Sequence, residues 1–182
     1  MLRALEIEAD GHRALLAGDR LTGARLMLQA SRLYRDSWEL APPHSYGRLI
    51  GMLKAAIIAG EGREAASFVR AAIGEHADSA PAHYALASAA LALQEDSAAL
   101  EEAAGMSGGS PAFRRAAEAI CALAERDRAG YVAALEAILA DFASREEHLT
   151  GVRIADTALM LEMLAEERGI AARLSSPLLP AA

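Results

Sequence analysis

Residues 82–93, AHYALASAALAL, contain no charged side chain, and residues 46–60, YGRLIGMLKAAIIAG, carry only Arg48 and Lys54. Both runs are rich in alanine and leucine, which favour helix. A helix that is apolar on every side needs neighbours on more than one side. These two segments therefore demand an all-α fold in which they form the centre and other helices flank them. The rest of the chain agrees, because apolar residues recur at helical spacing nearly throughout. The 182 residues are enough for one domain with a real core. The apolar fraction of 53% is largely alanine, with only 4% aromatic residues, and such a composition disfavours strands.

The periodicity predicts nine helices, at roughly 2–17, 20–36, 44–60, 62–75, 79–94, 97–105, 111–126, 128–147 and 152–168. Ser79 with Pro81, and Ser110 with Pro111, mark two of the starts. Short connections predict that successive helices pack as antiparallel hairpins. In the third helix, Gly47, Gly51 and Ala55 stand four apart, a stripe expected to admit a neighbouring backbone at close range.

Two segments align without a gap: GDRLTGARLMLQA at 18–30 and GEGREAASFVRAA at 60–72. Each starts with glycine and an acid, has a small residue five positions on (Gly23, Ala65) and ends on alanine (Ala30, Ala72). Weaker copies follow at 83–106, with Ala87 and Ala99 at the small positions, and from Phe113 onward, with Ala119 but bulky Tyr131. The pattern resembles the tetratricopeptide repeat, whose helix pairs share such a turn and such small positions. Gly11 fits that pattern in the first helix, and Leu53 departs from it. The resemblance spans about residues 5–140 and implies antiparallel hairpins in a short TPR-like right-handed α-solenoid, one domain over 1–182. The segment 148–168 then reads as a capping helix region and 170–182 as a tail. The whole chain is also similar to proteins of high-GC bacteria, a likeness that brings no function with it.

The matching first-helix positions, Gly11, Leu53, Ala87 and Ala119, are 42, 34 and 32 residues apart. Against a repeat of about 34 residues, the first interval is long, and the excess falls at 37–43, SWELAPP. This stretch reads as an insertion stiffened by Pro42 and Pro43, with Trp38 folded over the hairpin ends as an apolar plug.

The net charge of −7 argues against nucleic acid and anionic membranes as partners. The charged N-terminus is neither a signal nor a transit peptide, and the chain is expected in the cytoplasm. Cys121, alone and in an apolar helical context, excludes an internal disulfide and reads as a small buried hydrophobe. No phosphate loop, nucleophile elbow or His-Glu-x-x-His motif is present. None of the five histidines has a carboxylate three residues before it, so a bundle carboxylate metal site is not expected. No cofactor, metal or catalytic residue is expected. EEHLTGVRIAD, with Glu146, Glu147, His148 and Asp156, is the best acid–base cluster; it reads as a solvated helix end unless His148 and Asp156 converge.

Lys54 is the only lysine. A lone ammonium in an apolar helix needs a partner or a route to water. It reads either as a snorkelling side chain paired with a nearby acid, or as a cation for a partner's acidic group. In TPR-like arrays the first helix of each pair lines the concave face. On that resemblance the candidate groove presents Glu8, His12, His44, Gly47, Ile50, Lys54, Ile57, Tyr84 and Ser88. The absence of asparagine and the single lysine preclude the clamp that some such domains use for a terminal carboxylate. An apolar groove suits an amphipathic helix, the tail SSPLLP at 175–180, or a second subunit. The function expected is a non-catalytic protein- or peptide-interaction module. A small-molecule binder or enzyme with a pocket near Lys54, and an inhibitor or immunity-type protein, are the alternatives.

Overall fold

The computed structural model describes residues 1–74 and 76–181. Among these, nine helices and no strands occur: α1 Leu2–Leu16, α2 Arg20–Glu39, α3 Tyr46–Ile58, α4 Gly62–Ile73, α5 Ala80–Ala92, α6 Asp96–Ala104, α7 Pro111–Glu125, α8 Arg128–Ala143 and α9 Asp156–Arg168. Consecutive helices pair as hairpins, α1 with α2, α3 with α4, α5 with α6 and α7 with α8. Helices α3, α5 and α7 form an inner row, with α5 packed between α3 and α7. As their apolar sequences require, α3 and α5 are the centre, and all but three residues of α5 are buried.

One backbone device repeats in every hairpin. The first helix ends on a residue with positive φ, followed by an acid: Gly18-Asp19, Gly60-Glu61, Gln94-Glu95 and Arg126-Asp127. In each, the acid's N–H reaches back five residues at 2.9 Å, to the carbonyls of Ala14, Ala56, Ala90 and Ala122. These are the bonds that close a helix with a left-handed residue. The four turns recur at the same 42, 34 and 32 residue intervals as the small positions. The repeat is therefore written in the backbone, even where Gln94 and Arg126 replace the glycine that suits that conformation best.

The stretch at 37–43 is divided between helix and turn. Ser37, Trp38 and Glu39 continue α2, and the chain then turns before α3. Arg48 holds this last turn by donating to the Ser37 carbonyl and, at 2.9 Å, to its hydroxyl. Trp38 stays in the helix and stacks on Tyr46 with ring centroids 6.1 Å apart, half-buried across the turn. Several helices also end earlier than the periodicity suggests, most clearly α8 at Ala143 rather than near 147.

The tail at 170–181 is irregular but docked. Glu162 on α9 accepts from the N–H groups of Ala172 and Arg173 at 2.9 and 2.7 Å, and the Ala155 N–H donates to the Leu178 carbonyl at 2.9 Å. The tail thus runs back along α9, with Leu178 buried, and α9 itself covers the inner row by packing on α3, α7 and α8. Tyr131, bulky where the repeat wants a small residue, donates its hydroxyl to Glu162 at 2.8 Å and ties the fourth hairpin to α9.

The small stripe of α3 admits a side chain, not a backbone. A Cβ on Gly51 would lie 2.9–3.0 Å from the ring of Tyr34, while one on Gly47 would meet nothing within 4 Å. Tyr34 is fully buried and its hydroxyl is held by Glu8, so the ring has nowhere to go. Gly51→Ala is therefore expected to destabilise by about 1–3 kcal/mol through overpacking, whereas Gly47→Ala gains up to ~1 kcal/mol of helix propensity. Urea denaturation of the two variants checks this; equal effects would contradict it.

Candidate functional site

Lys54 projects from the middle of α3 toward the start of α9. Its ammonium donates to Asp156 Oδ2 at 2.8 Å and to Thr157 Oγ1 at 3.1 Å. The two charged side chains are only 12% and 17% exposed. Asp156 also turns its other oxygen to the Thr157 N–H at 2.7 Å, satisfying a free donor of the first turn of α9. Burial alone would lower the Lys54 pKa, but the Asp156 carboxylate beside it, with Tyr84 and Glu8, holds it above the ordinary lysine value. Burial opposes ionisation of Asp156 as well, and Lys54 overrides it, so that carboxyl sits below its usual range. The sequence left Lys54 either snorkelling or awaiting a partner; here its acid comes from the chain's own C-terminal segment.

A second buried group adjoins this pair. Tyr34 on α2 donates to Glu8 Oε2 on α1 at 2.6 Å, through the space that Gly51 leaves open. His12, one helical turn from Glu8, bonds through Nδ1 to Thr150 Oγ1 at 3.2 Å. Its Nε2 lies 3.9 Å from Glu8 Oε1, too far for a hydrogen bond, and has no partner among the described residues. Glu8 and His12 are 2% and 1% exposed. Burial, opposed by the Tyr34 hydrogen bond, drives the Glu8 carboxyl up to about 7, and burial drives the His12 imidazole down to about 4.

The opposite end of α9 is fixed by Arg168, a buried arginine that the sequence pattern did not single out. It donates to the Leu91 carbonyl and to Asp96 Oδ1, both at 2.8 Å, and to the Leu164 carbonyl at 3.2 Å. On its inward face α9 presents Ala158, Met160, Leu161, Leu164 and Ala165, all buried.

The nine groove candidates separate into three sets. Glu8, His12, Ile57 and Ser88 are buried. Ile50, Lys54 and Tyr84 border a cleft of about 180 Å³ that stays open where α3, α5, α7 and α8 meet the start of α9. Phe113, Ile138 and Phe142 complete its apolar wall, and Arg115, Asp141, Arg145 and Thr157 its polar edge. The hydroxyls of Tyr84 and Ser88 have no partner among the described residues. His44 and Gly47 lie elsewhere, on an open groove beside Asp78, to which His44 pairs at 2.7 Å. His148 packs on the Phe142 ring while Asp156 faces Lys54, so the two have different partners. Cys121 is half-buried, and burial with nearby Glu125 raises its thiol pKa.

Among the described residues no group of three or more histidine, cysteine or acidic side chains is placed to hold a metal ion, and no helix is long and apolar enough to cross a membrane. No protein-family model, curated protein or solved structure matches the chain.

The Glu8 and His12 shifts act on stability in opposite directions. Glu8, raised in the fold, contributes stability that is present at low pH and lost as pH rises from about 4.5 toward 7. His12, depressed in the fold, contributes stability that is present at neutral pH and lost as pH falls from 6.5 toward about 4. Between those limits the two slopes cancel. Glu8→Gln keeps an acceptor for Tyr34 and removes the Glu8 slope. The variant is expected to gain stability over the native chain as pH rises from 4.5 to 7.5, by roughly 2–3 kcal/mol at the upper end. Thermal melts across that range check it; a difference that does not change with pH would contradict it.

Proposed function

We propose that this protein is a non-catalytic interaction module, a short TPR-like array working in the cytoplasm, whose inner row of helices receives an amphipathic helix from a partner. The observation that carries this reading is α9. The chain's own α9 already lies on that row, with an acid in its first turn bonded to Lys54 and Met160, Leu161 and Leu164 buried. An acid at the helix start and apolar anchors along its length are what a docked helix supplies to a groove. A partner helix of the same chemistry, apolar on one face and acidic in its first turn, competes for the same surface. It comes from another protein or from a second copy of this chain.

The electrostatics support binding over catalysis. An ammonium held protonated by Asp156 is a hydrogen-bond donor, not a free amine for nucleophilic attack. Glu8 and His12 are sealed from solvent.

The test uses the full chain with Asp156→Ala, which weakens the hold on α9, and a fluorescent peptide of residues 152–172. Saturable binding to the variant, at least about tenfold tighter than to the native chain, is expected from competition with the resident helix. Circular dichroism establishes that the variant keeps its helices. A folded variant that binds the peptide no better than the native chain would contradict the reading.

A further inference from the structure

The cleft at the start of α9 carries an inference independent of helix docking. Its open volume of about 180 Å³ equals roughly six liquid waters, the scale of a single ring or a branched aliphatic body. Phe113 and Phe142 face it together with Tyr84, three of only eight aromatic residues in the chain. Tyr84 meets Phe113 edge-on with centroids 5.7 Å apart. The walls therefore suit an apolar, preferably planar, body.

The polar edge is rich in donors and short of acceptors. Lys54, Arg115 and Arg145 border the cleft, and Asp141 is the only acid among its lining residues. Asp141 is shared between the two arginines. Even with Asp156 counted against Lys54, three cations face two acids, in a chain whose net charge is −7. Arg115 gives Asp141 one terminal amino group and keeps its other N–H donors. Lys54 has an N–H beyond those directed at Asp156 and Thr157. The Tyr84 hydroxyl, buried and without a partner among the described residues, is a further donor. Donors left without an acceptor in a sheltered site cost free energy that an anion recovers through charge-assisted hydrogen bonds.

We propose that this cleft binds a small free carboxylic acid as its anion. The carboxylate lies toward Lys54, Tyr84 and Arg115, and the ring or branched chain against Phe113 and Ile138, since the Phe142 ring is covered by the Arg145 guanidinium 3.7 Å from its centroid. Apolar walls this close to the cations select a carboxylate on an apolar body over inorganic phosphate or sulfate, which offers them nothing to cover.

The experiment titrates the full-length chain with benzoate and with benzamide, its neutral isostere, following the methyl resonances of Ile50 and Ile138 by NMR. Ile57 and Ile154, which do not line the cleft, serve as internal references. Saturable shifts at Ile50 and Ile138 with benzoate in the millimolar range or tighter are expected, with benzamide at least about tenfold weaker. Tyr84→Phe removes a hydroxyl that has no partner among the described residues, so the variant is expected to fold and to weaken benzoate several-fold. Arg115→Gln is expected to weaken benzoate and leave benzamide unchanged. Absence of saturable shifts, equal affinity for benzoate and benzamide, or full affinity in Tyr84→Phe would overturn the proposal. Tighter binding of the tripeptide Gly-Gly-Phe, lost on amidation of its carboxylate, would overturn the free-acid assignment in favour of a peptide chain end.

Discussion

The contact between Lys54 and Asp156 joins the inner row of helices to the segment after α8. The inner row is built from sequence so apolar that it cannot face water alone. The ion pair lies where row and segment meet, nearly buried, with Thr157 as a second acceptor for the ammonium. Desolvating two such charges costs several kcal/mol, which the attraction between them offsets only when the geometry is good. The pair therefore contributes less as net stability than as register. It fixes where α9 begins, and the apolar face of α9 and the Arg168 anchor follow from that start. Glu8, Tyr34, His12 and Thr150 form a second buried group beside it, and the cleft opens next to Lys54 and Thr157.

Much of the fold was legible in the sequence, because it rests on local rules. Two strongly apolar helical runs placed the centre. Gly18-Asp19 and Gly60-Glu61 marked the first two hairpin turns. The last two turns were harder to read, since Gln94 and Arg126 adopt the same left-handed conformation without glycine; only the regular interval and the following acid betray them. The end of α2 was misjudged for a related reason. Nothing local in Ser37, Trp38 and Glu39 stops a helix, and what extends it is Arg48, eleven residues away in sequence.

The site was legible residue by residue but not as an arrangement. Lys54 stood out because it is the one lysine, in an apolar helix, whereas the single groove face expected from the repeat divides here, with Glu8 and His12 buried and Lys54 and Tyr84 bordering the cleft. The partner of Lys54 is 102 positions away. The signal for that partner was weak but present, an acid at the start of a helix rich in leucine and methionine. Gly51 gave half of its meaning, close approach, but not the identity of the approaching group, because Tyr34 belongs to the preceding hairpin. Arg168 left no sequence signal, since an arginine in the last turn of a helix usually faces water and complements the helix dipole.

The most direct measurement of this account is a double-mutant cycle on the pair, with Lys54→Met, Asp156→Leu and the two combined, read by chemical denaturation. Each single change strands a nearly buried charge and is predicted to cost about 3–5 kcal/mol, while the double variant recovers most of that loss. Additive losses, or singles within about 0.5 kcal/mol of the native chain, would show that the two residues do not hold α9 on the inner row.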